Sequence, residues 1–346
     1  MRLSIVVLAA LLASSVSAQR FALPAPPPGN EPNVERLQLG KTLFWDEQLS
    51  SNGTVACGTC HRPASGGADP RSLDPESVNP GPDGFFGTPD DIRGSRGVVA
   101  GIVDGPLDGS TVFGMREQVT TRLAPTVINS SLFRRQLWDG TVGDAFVDPQ
   151  SGFVTIPYSA GLEGQSVGPP LNTVEMAHAG EDWDSIAQRL TNARPLALAT
   201  DVPFRLDDWI GEATYPELFE RAFGDPAIDA ERIAMAIAQY ERSLISNRAP
   251  IDLYIAGNQT LSELELDGLQ VFMTARGRCV FCHTLFDFAE IFAATGVRSI
   301  DEDPGLFAAT GDVFDRGRFK VPFLANLSLR PAFFHDGSAT SLEEVI

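Results

Sequence analysis

The chain contains four cysteines, and all four fall into two copies of one pattern, Cys57-Gly58-Thr59-Cys60-His61 and Cys279-Val280-Phe281-Cys282-His283. Two thiols three positions apart on a helical turn can each bond a vinyl group of a haem, while the adjacent imidazole turns onto the iron from the proximal side. Each copy therefore reads as a c-type haem attachment site. Cys57, Cys60, Cys279 and Cys282 are its thioether donors, and His61 and His283 its axial ligands. Four cysteines can also make two disulfides, a dithiol redox site or a tetrahedral zinc site. None of those explains a histidine in the same place twice. The two histidines stand far apart in the 346-residue chain, so each haem sits in a sizeable domain.

The N-terminus explains where such attachment chemistry is done. Arg2 precedes an apolar run from Leu3 to Val16, and Val16-Ser17-Ala18 offers small residues to a signal peptidase, which predicts a signal peptide over 1–18 and a periplasmic protein. The run is too short to anchor the chain, and no other stretch is apolar enough to span a bilayer. A net charge of −19 repels phosphate backbones and argues against nucleic acid as a partner.

Apolar periodicity predicts helices over Val34–Leu43, Asp182–Leu198, Pro216–Phe223, Ile228–Leu244 and Leu261–Ala275. In the fourth of these, Ile233, Ile237 and Tyr240/Leu244 share one face. No convincing hairpin signal separates these segments, so the expected fold is mainly α, two cytochrome c-like haem domains with long loops. Residues 65–108 are dense in Gly, Pro and Asp and read as a surface insertion. The expected division is 19–225 for the first haem domain and 226–346 for the second.

Histidine supply separates two function classes. Beyond the two motifs only His178 and His335 remain, so bis-histidine ligation of both haems would consume every histidine. A catalytic di-haem protein needs one iron left open, and that fits better than a pure electron carrier with two enclosed haems.

The order of further motifs is distinctive. Leu39-Gly40-Lys41-Thr42-Leu43-Phe44 precedes the first Cys-x-x-Cys-His. Ala124-Pro125-Thr126-Val127-Ile128-Asn129, Trp138-Asp139-Gly140, Gln165 to Asn172 with Glu175-Met176, and Tyr240-Glu241-Arg242-Ser243-Leu244 follow it. After the second copy come Phe319-Lys320-Val321-Pro322 and Phe334-His335-Asp336-Gly337. From about Leu39 to its end the chain resembles the bacterial di-haem cytochrome c peroxidase family, which includes the enzyme MauG.

The resemblance implies a division of labour. The N-terminal haem would be peroxidatic and the C-terminal haem would take in electrons. Trp138 would relay electrons between them, Gln165 and Pro169 would line the distal pocket, and Glu175 would be the acid/base group. A carboxylate held above the iron suits the proton shift that heterolysis of a peroxide requires. The implied activity is reduction of hydrogen peroxide to water, with electrons from a small c-type cytochrome or cupredoxin. Oxidation of another substrate in the manner of MauG or of oxygenase-type relatives is the alternative, and a closed di-haem electron carrier the other. Family members are often homodimers.

Three departures from the family stand out. There is no histidine between His61 and His178, where many members carry a displaceable distal ligand; Met115 stands about there, as an axial thioether or as a packing residue. If Met115 is not a ligand, the first haem is five-coordinate from the outset, as the resemblance to MauG implies. The family also holds Ca²⁺ between its domains with an asparagine side chain, at a position that is Leu123 here, leaving only carbonyls near Arg330 and Ala332. A second Ca²⁺ candidate is an EF-hand-like count through Asn79, Asp83, Gly84 and Asp90, in which Gly81 lacks a side-chain oxygen; an acidic surface loop is the alternative. Finally, the family's distal ligand to the C-terminal haem is expected just beyond Ile346, so either the second domain is truncated or that haem takes another ligand or none.

Overall fold

The computed structural model describes residues 23–284 and 290–346, so the expected signal peptide lies outside the described residues. The first unit is built on α1 (Val34–Trp45), capped by Asn33, whose side chain accepts from the Arg36 amide. Leu39, Leu43 and Phe44 of α1 are fully buried. They face α7 (Ala230–Arg242), capped by Asp229 and burying Ile233, Ala236 and Ile237. Gly40 permits this contact, because a Cβ there would stand 1.7 Å from the Ala236 carbonyl oxygen. Between them in the chain come α2 (Cys57–Cys60), α3 (Gly161–Ser166), α4 (Trp183–Asn192), α5 (Phe204–Ile210) and α6 (Tyr215–Phe223). The large core cluster, from Leu39 to Tyr240, lies within this unit.

The helix α7, which the sequence division places after residue 225, packs against α1 and α3. α4 stops at Asn192, short of the predicted Leu198, because Pro195 removes the helical option from Arg194.

The second unit carries α8 (Pro250–Ile255) and α9 (Glu263–Met273). Ser262 and Glu265 close α9 with a reciprocal capping box. No residue of α9 is buried, and Leu264 is 82% exposed.

Strands are few and short among the described residues. Antiparallel pairs form between β1 (Val78–Asn79) and β2 (Ile92–Arg93), β3 (Arg96–Val99) and β4 (Glu117–Val119), β5 (Phe146–Val147) and β6 (Val154–Ile156), and β7 (Phe292–Ala293) and β8 (Phe319–Lys320). Strands of two to four residues are too short to show a period of two, so they leave no mark in the apolar pattern. The first two pairs organise much of the 65–108 insertion and its flank.

One backbone course recurs in both units. After Pro125 and Pro322 the chain reaches Asn129 and Asn326 in left-handed conformation, makes a 3-10 turn over Ser130–Leu132 or Leu327–Leu329, and turns left-handed again at Leu137 and Phe334. Asp139-Gly140 and Asp336-Gly337 complete the two copies, with both glycines at positive φ. By this correspondence Phe133 matches Arg330, and Trp138 matches His335. The copies grip each other reciprocally: the Leu123 amide donates to the His335 carbonyl, and the Lys320 amide to the Trp138 carbonyl, each at 2.7 Å.

Candidate haem sites

The first Cys-x-x-Cys-His turn rests on α1. Gly58 lies against the Trp45 ring, where a Cβ would come within 2.3 Å of it, and the Trp45 indole donates to the Tyr240 hydroxyl on α7. The His61 amide closes the turn on the Cys57 carbonyl at 3.0 Å. His61 Nδ1 stands 3.0 Å from the Pro125 carbonyl, which makes Nδ1 the donor and leaves Nε2 free as a ligand atom. The second motif repeats this plan: the His283 amide bonds the Cys279 carbonyl at 2.9 Å, and the His283 ring hydrogen-bonds the Pro322 carbonyl.

Each motif opens onto its own cavity. Cys57, Cys60, His61, Trp138, Gln165, Pro169 and Glu175 all line the first, so the structure brings together the predicted residues from four separate segments. Gln165 sits at the end of α3 and Pro169 opens the 3-10 turn Pro169–Leu171. Glu175 follows in a turn in which the Asn172 side-chain amide donates to its Oε1 at 3.1 Å. Burial pushes the Glu175 carboxyl up to about 7, poised to take and return a proton near neutrality. Burial likewise drives the Cys57 thiol up to about 12 and raises the Cys60 thiol, whose sulfur accepts from Arg71 Nη2 at 3.3 Å.

Cys282 and His283 line the second cavity with Leu269 and Phe272 of α9, Phe323 and Asn326. Phe133 reaches into this cavity from the first unit.

The residues present fit two haems. The second unit leaves α9 unburied and Phe281, inside its motif, 67% exposed, an apolar surface that a macrocycle would cover. Arg330 is a buried guanidinium whose Nε and Nη2 have no partner among the described residues, which calls for an anionic group. A haem supplies both.

Trp138 stands where the units meet. It is buried, lines the first cavity, and its indole donates to the Leu123 carbonyl at 2.7 Å. A continuous course of bonds then joins the two motif histidines. It runs from His61 through Pro125 to Leu123, across to Trp138, then from the Trp138 carbonyl to Lys320 and on to Pro322 and His283. His335 packs beside it, stacked on Phe319 with centroids 3.8 Å apart and edge-on to Trp138 at 6.5 Å. Arg122 clamps the same junction, holding Asp303 through two nitrogens and Asp139 through a third. The two carboxylates outweigh burial and hold the guanidinium above its ordinary range.

The structure does not bring Met115 to the first cavity. It is 61% exposed on a turn whose Gly109 lies beside its sulfur, and β4 starts two residues later, paired to β3. Around the predicted Ca²⁺ loop, Asn79, Asp83 and Asp90 accept from the Gly81, Phe85 and Asp83 amides respectively. Among the described residues no group of three or more His, Cys, Asp or Glu converges on one point. The Leu123 carbonyl is taken by Trp138.

Sequence reasoning quoted Glu241 within a motif but gave it no role. It lines the first cavity from α7, is 4% exposed and leaves Oε2 unpartnered. Burial, with the neighbouring Glu163 adding to it and Arg242 opposing, raises its carboxyl to about 8. Arg242 gives Glu241 little relief because it turns to Glu163, with two contacts of 2.7 Å. No residue type or spacing marks out Glu241; only the helix face it takes reveals it.

Comparison with known proteins identifies the family. The family described as di-haem cytochrome c peroxidase matches residues 34–260. The methylamine utilization protein MauG of Methylophilus methylotrophus is 30% identical over 94% of this chain and 75% of its own length. Cytochrome c551 peroxidase of Nitrosomonas europaea is 27% identical over 91% of this chain and 72% of its own. Among solved structures, a MauG-like protein associated with microbial copper homeostasis superimposes with a TM-score of 0.61 at 26% identity, covering 94% of this chain and 79% of that one.

Proposed function

The chain belongs to the di-haem cytochrome c peroxidase family of oxidoreductases, and on that premise we propose that it reduces hydrogen peroxide to water, H₂O₂ + 2 H⁺ + 2 e⁻ → 2 H₂O. The observation that carries this reading is Glu175. Its carboxyl, raised to about 7, faces the same cavity as Cys57, Cys60 and His61.

A c-type haem held by Cys57, Cys60 and His61 would supply the iron chemistry for O–O cleavage. The residues around it handle protons and position. Glu175, as carboxylate, would accept one proton of hydrogen peroxide and return it to the oxygen that departs as water. Asn172 fixes the carboxyl by its hydrogen bond, and Gln165 and Pro169 shape the space beside it. The Pro125 carbonyl, by accepting from Nδ1, orients His61 and raises its basicity as a ligand. Trp138 and the bonds through Leu123 and Lys320 carry electrons from the second site.

The remaining parts of the proposal follow from the family and the N-terminus. The second haem accepts electrons from a small c-type cytochrome or cupredoxin, the protein works in the periplasm, and it forms a homodimer. No helix among the described residues is long and apolar enough to cross a membrane. A MauG-like oxidation of another substrate is favoured by one observation, the exposed place of Met115, which leaves the first site open without prior reduction.

Steady-state assays of the haem-loaded protein with a reduced small cytochrome test the proposal. Peroxide-dependent oxidation of the donor in a 2:1 ratio is the expected result. A protein carrying two haems that leaves peroxide unconsumed would overturn it.

A further inference from the structure

Arg330 is 7% exposed, and among the described residues it has no counter-charge. Its Nε and Nη2 are both inaccessible to solvent and neither meets an acceptor. Other arginines of low exposure have carboxylate partners: Arg71 pairs with Asp69, Arg122 with Asp139 and Asp303, Arg242 with Glu163, and Arg298 with Asp336. Burial lowers the Arg330 guanidinium to about 10, and no carboxylate offsets the effect. A buried charge left in this state is strongly unfavourable unless an anion joins it.

Place and symmetry say which anion. Arg330 belongs to the second unit, yet its Cγ packs on Gly66, in the loop that follows His61. Gly66 is left-handed, and a Cβ there would meet the Arg330 stem at 2.8 Å, so the position is shaped around this side chain. Arg330 also ends the 3-10 turn Leu327–Leu329, as Phe133 ends Ser130–Leu132 in the first unit. Phe133 crosses over to line the second cavity. Under the reciprocal arrangement of the two units, Arg330 makes the opposite crossing, towards the first.

We propose that Arg330 is an anion-binding residue of the first haem site, and that its guanidinium receives a propionate carboxylate of the haem held by Cys57, Cys60 and His61. The inference rests on the two-haem reading above. It gives the second unit a direct hold on the first haem. A positive charge paired with the propionate makes reduction of that haem easier, so the docking of the units and the potential of the peroxidatic centre are linked through one side chain. A propionate of the second haem offers the same chemistry and is the competing source.

The test is spectroelectrochemical titration of both haems in the haem-loaded wild type and in Arg330→Gln and Arg330→Lys. Two haems per chain in the wild type are established first; without them the parent reading falls, and this inference with it. With two haems retained, Arg330→Gln is expected to lower the midpoint potential of the first haem and leave the second in place. Arg330→Lys, which keeps the charge and tests against mere misfolding, is expected to restore most of the shift. A shift confined to the second haem would assign Arg330 to the wrong propionate. Unchanged potentials at both haems in Arg330→Gln would show that no propionate is bound there.

Discussion

Replacing Glu175 by Gln removes one proton-carrying group and almost nothing else. The Asn172 amide that donates to Glu175 Oε1 at 3.1 Å can donate equally to the Gln oxygen, so the turn is preserved. What is lost is positioned acid–base catalysis, worth roughly 10²–10⁴ in rate. That corresponds to about 3–5 kcal/mol of barrier. The raised carboxyl also sets a pH dependence. The group must begin as a carboxylate, so in the wild type kcat/KM falls as pH drops through about 7, where the group becomes protonated before peroxide arrives. In Glu175→Gln the residual rate should be flat across that limb. The assay is initial-rate peroxide reduction from pH 5.5 to 8.5, with haem content checked by pyridine haemochrome. A variant that keeps more than about a third of the wild-type rate, or the same limb near 7, would refute the role given to Glu175.

Three further outcomes follow from the packing and the buried charges. Gly40→Ala should destabilise the protein by more than about 3 kcal/mol, since its Cβ would lie 1.7 Å from the Ala236 carbonyl and α1 and α7 must separate; urea unfolding measures it. Glu241 has a raised folded-state pKa, so the stability it contributes is complete below its ordinary value of 4.5 and lost as pH rises through about 8. Glu241→Gln should therefore melt close to the wild type at pH 5 and above it at pH 9; a constant difference between the two would count against the buried, unpartnered carboxyl. Asp303→Asn breaks the doubly bonded contact with Arg122 at the junction of the units and should slow electron transfer between the haems more than it slows peroxide binding. Pulse reduction of the second haem reads the first quantity and rapid mixing with peroxide the second.

What could be read from the sequence was local or chemically marked. α1, α7 and α9 show in the helical spacing of their apolar residues. The two Cys-x-x-Cys-His motifs announce their chemistry by composition alone. Gln165 and Glu175 were found through resemblance, and the cavity unites them because the intervening Pro169–Leu171 turn folds the chain back. Other features depended on tertiary contact. The β-ladders are held by partners distant in the chain and carry no period of their own. The packing of α7 against α1 rests on Gly40, whose need for a bare backbone is visible only against Ala236. Glu241 and Arg330 look like ordinary surface charges until burial removes their partners. Met115 shows the converse, a residue at a plausible count along the chain that β4 holds away from the cavity.

The central claim is that one of two haem sites is open to a small exogenous ligand while the other only passes electrons. Cyanide titration of the haem-loaded ferric protein, followed in the Soret band, tests it most directly. The account predicts two haems and one cyanide bound per chain, with that cyanide displaced competitively by hydrogen peroxide. Two haems that bind no cyanide, or two equivalents indifferent to peroxide, would contradict it.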